Sequence, residues 1–81
     1  MIYVVYIICN KDSKIYIGQT SNLVKRLLEH NESGLGYTSK YRPWKLLHSE
    51  NYESRAEAMT REKYLKTGVG RDWIKKEIMR A

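Results

Sequence analysis

Cysteine is nearly missing from this chain. Cys9 stands alone among 81 residues, so no intrachain disulfide and no cysteine-based zinc site can form. A reducing compartment fits that scarcity, and the cytoplasm is the expected location. Cys9 closes an apolar run and reads as a small buried hydrophobe rather than a nucleophile. Long hydrophobic stretches are missing too. The run from Ile2 to Cys9 is too short to cross a bilayer and has no charged leader or small-residue cleavage site, which argues against a membrane anchor or a signal peptide. Acidic residues are in short supply: nine Asp and Glu face fifteen Lys and Arg, a formal charge of +6. The basic residues are spread along the chain, which favours a polyanionic partner over simple solubility. No internal repeat or low-complexity segment is visible. With 42% apolar and 30% charged residues the chain is expected to fold as one small domain, residues 1–81, burying about 60% of its unfolded surface.

What is present predicts an α+β domain, a three-stranded antiparallel sheet flanked by helices in the order β-β-α-β-α-α. Ile2 to Cys9 is β-branched and aromatic on both alternating faces, as in a central strand covered on both sides. Asn10 to Lys14 supplies turn chemistry and Ile15 to Gln19 resumes an extended pattern, making a hairpin. An odd loop places Tyr6 opposite Gly18 and Tyr16 opposite Ile8, with both phenols on one face; an even loop separates them. The odd loop is the prediction. Gly18, without a side chain beside Tyr6, leaves space for a ligand or a close backbone.

Thr20 or Ser21 caps a helix running to about Ser33, with Leu23, Val24, Leu27 and Leu28 as its buried stripe. Arg26 and His30 fall on one flank of it. Gly34 ends the helix, and Gly34 to Pro43 is a polar basic loop in which Tyr37, Thr38, Ser39, Lys40, Tyr41 and Arg42 suit phosphate contact; Thr38, Lys40 and Arg42 are the substrate-binding candidates there, with Gly18 and Gln19. Trp44 to Ser49 is a third strand with Trp44, Leu46 and His48 on one face. Ser54 caps a helix to about Lys66 whose inward stripe is Ala58, Met59, Glu62 and Leu65. A carboxylate there costs several kcal/mol unless paired or bound to a cation, so Glu62 stands out. Gly68 and Gly70 break the pattern before a last helix, Asp72 to Met79, packing Trp73, Ile74 and Ile78 with Lys75, Lys76 and Arg80 in solvent.

Tyr6, Tyr16, Arg26 and His30 thus converge on one patch that makes sense if it holds a phosphate and takes a proton from water. This order of elements and residues resembles the GIY-YIG nuclease family. Val4-Val5-Tyr6 stands at the first family tripeptide with its tyrosine kept, and Tyr16-Ile17-Gly18 reproduces the second. The resemblance covers nearly the whole chain and is similar to the small stand-alone bacterial branch, and more distantly to the N-terminal catalytic domain of the repair excinuclease and to intron-homing endonucleases. It implies catalytic roles for Tyr6, Tyr16, Arg26 and His30, and a single divalent ion, Mg2+ or Mn2+, on Glu62. DNA, branched or otherwise structured, is the implied substrate and repair the implied setting, with a protein partner for targeting. Gln19 departs from several members, which carry a phenolate-stabilising lysine nearby.

The energetic demand is modest. A phenol near pKa 10 must drop about three units, roughly 4 kcal/mol, to be half ionised at pH 7. One cation about 4 Å away at an effective dielectric near 20 supplies a similar amount. Tyr6 and His30 are rival general bases, since an imidazole already titrates near neutrality. The competing function is a nucleic-acid-binding module without cleavage; a protein-interaction domain has little support beyond small size.

Overall fold

The computed structural model describes residues 1–33, 38 and 40–79. The expectations placed on Gly34, Tyr37, Ser39 and Arg80 lie outside the described residues. Three strands, β1 (Tyr3–Cys9), β2 (Ile15–Thr20) and β3 (Lys45–Tyr52), form an antiparallel sheet in the order β2-β1-β3. The apolar β1 is therefore the central strand.

The hairpin loop is odd. The Asn10 side chain accepts from the backbone N–H of Asp12 and of Lys14 at 3.0 and 2.9 Å, and its own N–H closes on the Lys14 carbonyl at 3.0 Å. Ser13 sits in the left-handed region at φ 63°, which this tight closure demands of it. The resulting register sets Tyr6 against Gly18 and Ile8 against Tyr16. One face of the sheet carries Val5, Ile7 and Ile17 into a core with Ala58, Leu65 and Ile74. The other carries Tyr6 and Ile8, packed with Trp44, Tyr16, Leu23, Leu27 and Tyr41.

The first helix, α1 (Leu23–Leu28), continues into a π-helical turn, Glu29–Ser33. Its cap is Asn22, whose side chain accepts from the Lys25 N–H at 3.1 Å, not Thr20 or Ser21; the Thr20 hydroxyl instead accepts from the Asn22 N–H at 3.1 Å and shapes the entry. Only half of the expected stripe packs. Leu23 and Leu27 meet the tyrosine face, while Val24 and Leu28 are 71% and 53% exposed, so α1 buries a narrower arc than its apolar residues offer.

Strand β3 runs three residues beyond its expected end at Ser49 and begins after Trp44. A bulge between Ile7 and Ile8 puts Ile7 opposite His48 but Ile8 opposite Leu46. Leu46 and His48 consequently lie on opposite faces, against expectation, since an extra residue inverts the alternation. His48 sides with the helices, its ring edge-on to Trp73 at 5.8 Å. Helix α2 (Arg55–Leu65) starts as predicted at Ser54, whose hydroxyl accepts from the Glu57 N–H at 3.2 Å and donates to the Glu57 carboxylate at 3.0 Å, a reciprocal cap. Met59, expected inward, is 44% exposed. Helix α3 (Gly68–Trp73) continues through Ile74–Ile78 and is capped by Thr67. Gly68 and Gly70 thus open this helix instead of separating it from its predecessor. A side chain on Gly70 has no room, because its Cβ collides with the Tyr64 carbonyl and comes within 2.6 Å of Leu65 Cα. Trp73, Ile74 and Ile78 pack on the core as read from the sequence. Among the described residues no helix is long and apolar enough to cross a membrane.

Candidate active site

The site is built on the tyrosine face at the β1–β2 pair and closed by α1. Tyr6 is 1% exposed, and its ring crosses over Gly18: a Cβ there would lie 2.6 Å from the Tyr6 hydroxyl and 2.7 Å from Cζ. Gly18 is therefore needed for the close approach of an aromatic ring. The Tyr6 hydroxyl meets His30 Nε2 at 2.8 Å inside the protein. Tyr16 completes an aromatic group, its ring centroid 4.9 Å from that of His30 and 6.4 Å from those of Tyr6 and Trp44.

Burial, then the neighbouring Tyr16, push the Tyr6 phenol well above its usual range; Arg26 pulls it down and Glu62 pushes it up. Arg26 alone thus does not outweigh burial, contrary to the simple one-cation sum. Burial and then Arg26 lower the His30 imidazole, with Glu29 opposing. Both partners of the 2.8 Å contact are neutral near pH 7, so in the Nδ1–H tautomer the hydroxyl donates and Nε2 accepts. Arg26 is half-exposed and paired with Glu29 at 3.2 Å, leaving its guanidinium at the mouth of the site. A small polar depression of about 320 Å³ lined by Thr20, Asn22, Lys25 and Arg26 adjoins it.

Glu62 faces the sheet less deeply than its position in the stripe implied. Its side chain is 22% exposed and binds the Lys66 ammonium at 2.7 Å, which supplies the pairing that an inward carboxylate requires. Among the described residues no three His, Cys, Asp or Glu side chains assemble into a metal cage. One carboxylate still fits an ion such as Mg2+ or Mn2+, which retains waters and takes further oxygens from a phosphate. It does not fit a zinc-type closed site. Gln19 Oε1 is buried and has no hydrogen-bond partner among the described residues.

The loop candidates divide. Thr38 is buried, and its carbonyl accepts from the Trp44 indole at 2.8 Å. Arg42 is exposed and donates to the Asn31 carbonyl at 3.3 Å, and Lys40 is exposed. Sequence reasoning passed over Asn31, which grips both ends of one residue's backbone: its Oδ1 accepts from the Trp44 N–H at 2.6 Å and its Nδ2 donates to the Trp44 carbonyl at 3.2 Å. Asn31 and Trp44 together brace the ring of Tyr16. An amide beside His30 in the last helical turn was the available signal, since Asn there has low helix propensity and needs another reason to be present. Also unforeseen was the anchoring of β3 to α2, where Glu50 receives both arms of Arg61 at 2.9 and 3.1 Å, the Tyr52 hydroxyl at 2.7 Å and a contact from His48 at 2.9 Å.

A β2-β1-β3 sheet with helices on its flanks and a Tyr–His–Arg group at one strand pair defines a class of small α+β domain. The chain belongs to the GIY-YIG family, whose catalytic domain matches residues 2–76. It is similar to a UPF0213 protein of Clostridium perfringens (strain 13 / Type A), 44% identical over 63 residues that cover 76% of this chain and 68% of the relative. A UPF0213 protein of Staphylococcus haemolyticus (strain JCSC1435) is 42% identical over 64 residues, 78% of each chain. The solution NMR structure of a UPF0213 protein from Bacillus halodurans superposes with a TM-score of 0.58 at 28% identity, covering 94% of this chain and 84% of that one. These names state no reaction.

Proposed function

We propose that the chain is a divalent-cation-dependent endonuclease that hydrolyses DNA phosphodiester bonds. The observation that carries this reading is the buried 2.8 Å contact between the Tyr6 hydroxyl and His30 Nε2, with Arg26 close enough to act on both groups. A structural phenol–imidazole pair has no need of a guanidinium at its side.

Each residue has a task in the reading. Arg26, at the mouth, binds a phosphate oxygen and offsets charge as the phosphorus becomes pentacoordinate. The Tyr6 phenol is too weak an acid to wait as a phenolate. It instead takes the proton of the attacking water as it passes its own to His30 Nε2, so the imidazole ends the step as the cation. Tyr16, held edge-on to His30 and backed by Trp44, orients the hydroxyl and shapes the pocket. Glu62 is the residue that would hold Mg2+ or Mn2+, which supplies further positive charge to the phosphate. The overall positive charge of +6 draws the polyanion in.

The test is to incubate the full chain with duplex, flapped, branched and single-stranded DNA and Mg2+ or Mn2+. Cleavage of at least one substrate, reduced about 100-fold or more by Arg26→Ala and by Glu62→Ala, is the expected result. The second reading, a binding module, draws on the Glu62–Lys66 ion pair, which already satisfies the carboxylate. Salt-dependent binding with no cleavage of any substrate supports that reading, and binding indifferent to salt contradicts both.

A further inference from the structure

Among the described residues, ion-pairing and packing leave one buried side-chain atom without a partner, the Oε1 of Gln19. Leaving a buried carbonyl unpaired forfeits its hydration with nothing in return, so a residue that does so is expected to have a partner in another state. Its position narrows the choice. Gln19 pairs in register with Val5 and so leaves the sheet on the face that Val5, Ile7 and Ile17 share with α2. Along α2, Ala58 and Leu65 are fully buried in that core, and Glu62 lies one turn after the first and before the second. The same helical face therefore carries the Glu62 carboxylate toward the sheet.

Two further facts bring both groups to the same stretch of β2. The Tyr6 ring lies over Gly18, the residue preceding Gln19, and Glu62 is near enough to raise the Tyr6 phenol. The Tyr6 ring thus covers edge strand β2 on one face, and Gln19 leaves the strand on the other, where α2 carries Glu62 on its sheet-facing stripe. A neutral amide carbonyl and a carboxylate are the hard oxygen donors that Mg2+ and Mn2+ accept, and one carboxylate alone makes a weak anchor.

We propose that Gln19 Oε1 is a second protein oxygen of the divalent-cation site anchored on Glu62. This rests on the nuclease reading and adds to it a ligand on β2. Lys66 pairs with the Glu62 carboxylate; Mg2+ or Mn2+ would take that carboxylate and Gln19 Oε1 as its protein oxygens.

The experiment is Mn2+ titration of the full chain, read from the loss of the free-ion EPR signal, with Mn2+ alone and again with a phosphorothioate DNA duplex. Gln19→Ala is expected to weaken Mn2+ binding about 3- to 10-fold, and Gln19→Glu, which adds a charge at the same reach, to tighten it by a similar factor. Thermal melts of both variants verify folding. Mn2+ affinity unchanged in both Gln19 variants, while Glu62→Gln abolishes binding, overturns this inference and leaves the nuclease reading intact. A Gln19→Ala protein that melts higher and binds Mn2+ normally likewise overturns it, because the orphan is then only a packing cost. Absence of Mn2+ binding by the unaltered chain under both conditions, or normal binding by Glu62→Gln, defeats the inference together with the metal-dependent reading beneath it.

Discussion

The Tyr6 hydroxyl and His30 Nε2 lie 2.8 Å apart with the two residues only 1% and 7% exposed, so each is the other's sheltered partner. The pair predicts a pH dependence. Burial, then Arg26, hold the His30 pKa below the usual 6.5. In the unfolded chain the imidazole takes up its proton first, so the folded state is favoured above pH 6.5 and loses this contribution as pH falls through the lowered value. Cleavage follows the same limb, because a protonated His30 has no lone pair to receive the Tyr6 proton. His30→Gln should erase the limb from both the melting temperature and the rate. A limb that persists in His30→Gln assigns it to another group.

Gly18 and Tyr6 provide a purely steric test. An alanine Cβ at Gly18 falls 2.6 Å from the Tyr6 hydroxyl and 2.7 Å from Cζ, and the enclosed ring has little room to retreat. Gly18→Ala should cost about 1–3 kcal/mol, as overpacking does. In a Tyr6→Leu background those atoms are gone and the cost should fall by at least half, measured by urea denaturation as a double-mutant cycle. Equal costs in both backgrounds would place the conflict elsewhere.

Much of this arrangement was legible because it depends on parity. The apolar run of β1, the turn chemistry of Asn10 and the odd loop dictate the cross-strand pairs, and those pairs bring Tyr6, Gly18 and Tyr16 to one face. Helical spacing then carried Arg26 and His30 to the same side. The misreadings came where burial depends on what lies opposite. Val24 and Leu28 look like core and are exposed, because helical spacing fixes the stripe but not how wide an arc its neighbours cover. His48 changed faces through a bulge that no residue type announces. Glu62 was legible as unusual, yet its partner Lys66 sits one turn away on the same helix, and spacing alone does not distinguish a surface pair from a vacant ligand.

Asn31 and Trp44 test whether the aromatic wall needs its brace. Two hydrogen bonds, at 2.6 and 3.2 Å, tie one side-chain amide to the backbone of a tryptophan that is 5% exposed. Asn31→Ala leaves the Trp44 N–H and C=O without these partners and should destabilise the protein by about 2 kcal/mol. Asn31→Asp keeps the acceptor and loses the donor, so an intermediate loss is expected. Cleavage should fall in the same order if Tyr16 depends on the brace, and the Trp44 indole N–H resonance should shift in both variants. A loss of stability without any change in that resonance argues that the wall stands without Asn31.

Glu50 sets the acid limit of the fold. Burial by itself raises its carboxyl, but the hydrogen bonds from Arg61, His48 and Tyr52 and the Arg61 charge overcome that and bring it from 4.5 to about 2. Because the folded value is depressed, the unfolded chain binds the proton first as pH drops, and the stabilisation present above pH 4.5 is lost progressively toward pH 2. The difference corresponds to on the order of 3 kcal/mol at neutral pH, for a side chain 19% exposed. Arg61 has a second hold, stacking 5.0 Å over Trp73 and 5.3 Å over Tyr64, so it stays in place when the carboxyl titrates. Glu50→Gln should therefore destabilise strongly at pH 7 and very little at pH 2, with the two stability curves converging across that window in denaturant titrations. Parallel curves would show that Glu50 is not the group whose protonation loosens β3 from α2.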